Sequence, residues 1–125
     1  MAIGKIETVV LNVKNVEKAV ELYSELFDIS FEPVHQYVLP GDIEVRDSFC
    51  PSFGLELIQQ IRPPLDKEGV RAITIRVSNL EKAASKMKEK GIPLLRELKS
   101  ERANVKESIY GMSGYLLILS QHDDF

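Results

Sequence analysis

Few side chains in this chain can do chemistry, and Glu56 is first among them. It stands in Gly54-Leu55-Glu56-Leu57, a carboxylate between apolar residues in a strand-like run. A carboxyl held against apolar surface resists ionisation, rises toward neutral pH and becomes suited to proton transfer. The plain alternative is a carboxylate that pairs with a nearby cation or faces water. His35 is a candidate ligand contact, because imidazole changes charge near neutrality. A lone strand histidine is more often structural or exposed. Arg76 alternates with Ala72 and Thr74, so the three share one strand face, where a guanidinium can grip a carboxylate or phosphate. Pairing with Glu81 or Glu97 is its plainer alternative. His122 beside Asp123 and Asp124 has metal-ligand chemistry, but in a terminal stretch. Tyr37, Phe49, Phe53, Tyr110 and Tyr115 offer faces for a flat ligand, although strand aromatics usually fill cores. Cys50, the single cysteine, has no activating neighbour in sequence and reads as an inert thiol. Lys86, Lys88 and Lys90 with Glu89 read as a solvated helix face.

The elements that must position these groups occur twice. Val13-Lys14-Asn15-Val16-Glu17-Lys18-Ala19 returns as Val77-Ser78-Asn79-Leu80-Glu81-Lys82-Ala83, an offset of 64 residues. Such a repeat governs the fold and is read before other signals. Ile6 to Val13 alternates as a strand, with Ile6, Thr8, Val10 and Asn12 on one face. Asn15 is placed to cap a helix whose apolar stripe is Val16, Ala19, Val20, Tyr23, Leu26 and Phe27, ended by Asp28. Strands are expected over Ile29–Leu39, Ile43–Phe49 and Phe53–Ile61, with a turn at Pro40-Gly41-Asp42.

The second copy repeats this order. A strand covers Val70–Val77, Asn79 caps a helix striped by Leu80, Ala83, Ala84 and Met87, and Gly91 closes it. Strands are then expected over Ile92–Leu98, Val105–Tyr110 and Tyr115–Ser120, with a frayed tail from Gln121. The resulting expectation is an α+β domain of two βαβββ modules, residues 1–63 and 69–125, joined by a connector at 64–68. One helix per four strands cannot cover both sheet faces. The modules are therefore expected to form one curved, cup-shaped mixed sheet with helices outside and a concave inner face.

Composition narrows the function classes. Hydrophobic residues make up 44% and charged residues 28% of 125, which marks a globular chain with a real core. Net charge is −3 and no Lys/Arg run is present, so nucleic acid is not an expected partner. No run approaches the ~20 apolar residues of a membrane helix. A cytoplasmic location and no membrane partner are the corresponding expectations.

The two module starts, Ile6 to Asn15 and Ala72 to Ala83, resemble the vicinal oxygen chelate superfamily. So do Gly91-Ile92-Pro93 and Gly54-Leu55-Glu56-Leu57. That group includes glyoxalase I, bleomycin-resistance proteins, extradiol dioxygenases, methylmalonyl-CoA epimerase and fosfomycin-resistance enzymes. In its metal-dependent members, each module's first strand supplies a His or Gln and each last strand a Glu. The resemblance places these four ligands at Thr8, Ala72, Glu56 and Ile118. Only Glu56 matches; Thr is a weak neutral ligand, and Ala and Ile have no donor.

The resemblance thus implies a glyoxalase- or bleomycin-resistance-like small-molecule binder without the family metal or any cofactor. Thr8, Val10, His35, Glu56, Ala72, Thr74, Arg76, Tyr110 and Ile118 would line its site. The alternative is a metal-independent lyase or isomerase with Glu56 as general base and Arg76 or His35 orienting an anionic substrate. A metal-dependent glyoxalase, epimerase or dioxygenase with rewired ligands stands third. A homodimer is expected by family analogy and because sheet edges need cover.

Overall fold

The computed structural model describes residues 4–100 and 104–123. Its elements run β1 (Gly4–Asn12), α1 (Val16–Phe27), β2 (His35–Leu39), β3 (Ile43–Cys50), β4 (Leu55–Arg62), β5 (Gly69–Val77), α2 (Leu80–Glu89), β6 (Leu94–Ser100), β7 (Val105–Gly111) and β8 (Leu116–His122). This is the expected α+β class, with two βαβββ runs and mixed strand pairing. The chain divides into two compact units. One is Val9–Arg71; the other is Ala72 onward together with the residues before Val9. The units therefore change hands inside β1 and inside β5, whereas the sequence repeat divides at the connector.

In the Val9–Arg71 unit the strands follow the order β2-β3-β4-β1. The β1–β4 pair is parallel and the others are antiparallel. A parallel pair needs a long crossover, which α1 supplies. Asn15 starts this helix: its side chain accepts from Lys18 N at 3.0 Å. Gln59 Oε1 of β4 accepts from Val16 N at 2.9 Å, satisfying another orphan amide. Asp28 ends the helix in the left-handed region at φ 52°. The apolar stripe packs Val16 against Leu55 and Leu57, with Leu11, Ala19, Val20 and Tyr23 around them. Leu57 is fully buried, so truncation to Ala would cost about 2–5 kcal/mol. Strand alternation then turns Glu56 and Ile58 to the face opposite α1.

The second unit repeats the plan, with order β5-β8-β7-β6 and a parallel β5–β8 pair. Asn79 accepts from Lys82 N at 3.0 Å, and Gln121 Oε1 from Leu80 N at 2.6 Å. Both the cap and the glutamine support thus recur. Gly91, just past α2, takes φ 70°, a conformation that suits glycine. Val77, Tyr110 and Leu119 form the core under α2, with Ile75, Leu80, Ala83, Met87 and Leu117.

Two expectations need correction. The strand expected over Ile29–Leu39 begins only at His35. Before it the chain is tethered irregularly: Glu32 N donates to Phe49 O at 2.8 Å, and Ser48 Oγ donates to Glu32 O at 2.6 Å. The tail expected to fray from Gln121 continues β8 through His122, which the side chains below hold in place. Residues 101–103, part of an expected loop, lie outside the described residues, as do Asp124 and Phe125.

Candidate acid–base site

The sheet face opposite α1 gathers a cluster around Glu56. Val10 of β1 is the register partner of Glu56 on β4, and Phe49 of β3 is its partner on the other side. Asp47, two residues from Phe49, therefore emerges on the same face, beside Ile58. The Glu56 and Asp47 carboxyls thus lie close together on this face. Burial, and then the hydrogen bond and charge of Asp47, push Glu56 up to about 7, while Arg71 pulls it partly back. Two carboxyls in contact cannot both ionise readily. Tyr37 of β2 donates its hydroxyl to Asp47 and is itself pushed up to about 12, chiefly by burial and then by Asp47 and Glu56. At neutral pH it keeps its proton and remains a donor to Asp47.

Arg71 completes the cluster. Its Nη1 donates to Asn12 Oδ1 and to Gln60 Oε1, each at 3.1 Å. The Gln60 amide is itself oriented, because its Nε2 donates to Pro63 O at 2.8 Å. Its oxygen is thereby left for Arg71. The apolar floor includes Val45 and Ile58, both buried.

A second polar cluster occupies the other unit. Arg76 Nε donates to Glu7 Oε2 at 2.6 Å, and Ser120 Oγ donates to Glu7 Oε1 at 3.3 Å. His122 Nδ1 lies 3.3 Å from Arg76 Nη2. His122 Nε2 lies 3.1 Å from Glu7 Oε2 yet is out of line for a hydrogen bond, so proximity rather than bonding describes it. Glu107, the register partner of Ser120, is pushed up by burial and by Glu7, with His122 acting in the opposite sense.

The other expected site residues fall as follows. His35 is the register partner of Asp47, but its side chain is exposed. Thr8 and Ile118 are half-buried, and Ala72 and Thr74 are buried at 4% and 8% exposure. Thr74 and Ile118 are register partners. Tyr110, expected to contact ligand, is instead a core residue under α2 at 2% exposure. Arg76 pairs with Glu7 rather than Glu81 or Glu97. On β3, Arg46 reaches Glu17 and Glu44 reaches Arg62 at 3.1 Å. Phe53 joins the Tyr23–Phe27 stack on the outer side of the first unit.

Sequence reasoning missed Asp47, Asn12, Gln60 and Arg71. The available signal was Asp47 alternating with Val45 and Phe49, a charge at a position otherwise apolar. A cleft of about 660 Å³ lies elsewhere, in the second unit, where Glu107 lines it with Lys106, Glu97 and Asn79. Its charges are of mixed sign, and the neighbouring carboxyls of the Glu56 cluster make the stronger chemical site.

The profile of the Glyoxalase/Bleomycin resistance protein/Dioxygenase superfamily matches residues 5–119. The chain belongs to this superfamily. Among solved structures, methylmalonyl-CoA epimerase from Mycobacterium tuberculosis is similar at 15% identity and TM-score 0.62, over 94% of this chain and 87% of that one. The Streptomyces coelicolor methylmalonyl-CoA epimerase aligns at 17% identity and TM-score 0.63, over 95% and 97% of the two chains. A variant of 4-hydroxymandelate synthase from Streptomyces coelicolor gives TM-score 0.75 at 12% identity, over 96% of this chain and 49% of that one. At these identities the likeness is one of fold. No curated protein matches the chain.

The family's metal can be tested against the donor set. Ala72 and Ile118 offer no donor atom, and Thr8 offers only a hydroxyl. Among the described residues no group of three or more His, Cys, Asp or Glu is placed to hold an ion. A lone carboxylate competes poorly with water for a divalent cation. Of the four positions to which the resemblance assigns ligands, only Glu56 carries a carboxylate. Among the described residues no helix is long and apolar enough to cross a membrane.

Proposed function

We propose that this protein binds a small molecule and carries out metal-independent proton transfer on it, as an isomerase or lyase, with Glu56 as general base. The observation that carries the reading is the placement of the Asp47 carboxyl beside the largely buried Glu56 on one sheet face, with Glu56 pushed up to about 7. A base poised at working pH combines a useful ionised fraction with adequate proton affinity. In the reaction, the Glu56 carboxylate takes a proton from carbon adjacent to a carbonyl, and the C–H electron pair moves into an enolate. Delivery of a proton from water to the opposite face, with Glu56 releasing its own to solvent, gives an epimer, and return of the Glu56 proton to another atom gives an isomer. Departure of a leaving group from the next carbon gives a lyase product. None of these steps needs an oxidant. A fold shared with proteins named as epimerases is compatible with this chemistry.

The second reading, a binder without chemistry, draws on Ala72 and Ile118, whose apolar side chains would widen a pocket. A deuterium wash-in assay separates the two. Purified protein, with and without chelator treatment, is incubated in D2O with a panel of 2-oxo acids and acyl thioesters and followed by NMR. Chelator-resistant exchange that disappears in Glu56→Gln supports the proton-transfer reading. Ligands that shift the melting temperature but never exchange would leave the binder. The same reading keeps the expectation of a homodimer, which light scattering at micromolar concentration tests.

A further inference from the structure

Among the described residues, no carboxylate is bonded to the cation beside the acid pair. Arg71 Nη1 is held by two neutral amide oxygens, Asn12 Oδ1 and Gln60 Oε1, both at 3.1 Å. No partner of its Nε or Nη2 occurs among the described residues, although its charge acts on both Glu56 and Tyr37. The second unit shows what this neighbourhood becomes when a carboxylate is supplied. Glu7 and Arg71 stand at equivalent positions of the repeat, 64 apart, as do Asn12 and Arg76. Gln60 and His122 are equivalent through the β4 and β8 pairing, since Val10–Glu56 corresponds to Thr74–Ile118. In that unit the Arg76 guanidinium is closed by the Glu7 carboxylate at 2.6 Å. In the Val9–Arg71 unit the same pair of positions is filled the other way round: the arginine stands where the other unit has Glu7, and the amide of Asn12, where the other unit has Arg76, orients it without neutralising it.

A half-buried guanidinium fixed on one nitrogen retains the fork that binds carboxylates in bidentate fashion. We infer that Arg71 is the anion-binding residue of this site and that the substrate carries a carboxylate, which Arg71 holds while its acidic C–H faces Glu56. Ile58, between Glu56 and Gln60 on the same strand face, gives the molecule an apolar bed. The inference rests on the proton-transfer reading for the second half of its statement only; anion binding stands by itself.

The test uses pyruvate and its neutral counterpart pyruvamide, which differ in charge and little in shape. Both are titrated into the full-length protein by NMR at up to ~10 mM, where a millimolar complex is largely saturated. Wild-type protein is expected to bind pyruvate and to bind pyruvamide at least ~10-fold more weakly, the ~1.4 kcal/mol that an ionic hydrogen bond supplies. Arg71→Gln should abolish this preference and Arg71→Lys should restore part of it. Glu56→Gln should bind pyruvate at least as well as wild type, because a nearby negative charge is gone. Equal binding of the two probes, no binding of either, or a pyruvate preference that survives in Arg71→Gln would overturn the anion site. Arg71→Lys guards against a folding defect in Arg71→Gln. Pyruvate binding that depends on Arg71, without deuterium exchange at its methyl group, would leave the anion site standing and remove the general-base reading.

Discussion

The two modules place polar clusters at matching ladder positions and fill them in opposite ways. In the Val9–Arg71 unit, two carboxyls lie together, with Glu56 pushed up by burial and by Asp47, and an arginine is held by amides. In the other, Arg76, Glu7 and His122 lie together, and the position equivalent to Asp47 carries Glu107, the register partner of Ser120. Ile118, the counterpart of Glu56, has no proton to give. An ion cluster with its charges paired fastens strands together, whereas in the proposed reading the neighbouring carboxyls and the amide-held guanidinium are left for a ligand. The difference teaches that one backbone ladder can build a fastening or a reaction site, depending on which positions are charged.

The comparison breaks most visibly at Glu56. Glu56→Gln should lower proton exchange by about 10²–10⁴-fold, while Ile118→Ala changes it little; comparable losses in both would place the chemistry elsewhere. Next in size is the fastening role. Glu7→Gln should cost about 2 kcal/mol in urea denaturation, since it leaves Arg76 half-buried without its carboxylate. Asn12→Ala, which removes a neutral acceptor from Arg71, should cost about 1 kcal/mol. A reversed order would mean the first cluster is the structural one.

The pH dependence sharpens the contrast. Glu56 keeps its proton in the folded state up to about 7, while the unfolded chain loses it near 4.5. The folded state then binds more protons in that window, so stability falls as pH rises from about 4.5 to about 7. Glu107 acts in the same sense. Glu56→Gln should flatten most of this slope, and activity in wild type should climb through the same region as the base form appears. Asp47→Asn removes two of the causes that raise Glu56, so the rate profile should move to lower pH. The smallest effect is expected at His35, whose exposed side chain can become Ala within about 0.5 kcal/mol of stability.

The repeat, both asparagine caps and the strand order of each module were legible because they are local signals. Periodicity, an N-cap and a left-handed stop require no knowledge of distant neighbours. Glu56 was legible as well, since a carboxylate between two leucines stands out. Asp47 and Arg71 were not, because they matter only through register. Sequence shows neither that β3 sets Asp47 two residues from the Glu56 partner nor that Arg71 bonds to residues 59 and 11 positions earlier. Arg76 was noticed for the right chemistry and the wrong availability: its partner Glu7 lies 69 residues away.

The change of hands within β1 and β5 carries a consequence for the gene. Arg71 belongs by ancestry to the second repeat but serves the first repeat's amides, and Glu7 belongs to the first repeat but serves Arg76 and His122. If the chain were divided in its connector and expressed as two polypeptides, each fragment would lack an ion that the other encodes. Such fragments would regain both clusters only when co-expressed, which makes this chain a candidate for split-protein complementation with a built-in chemical readout.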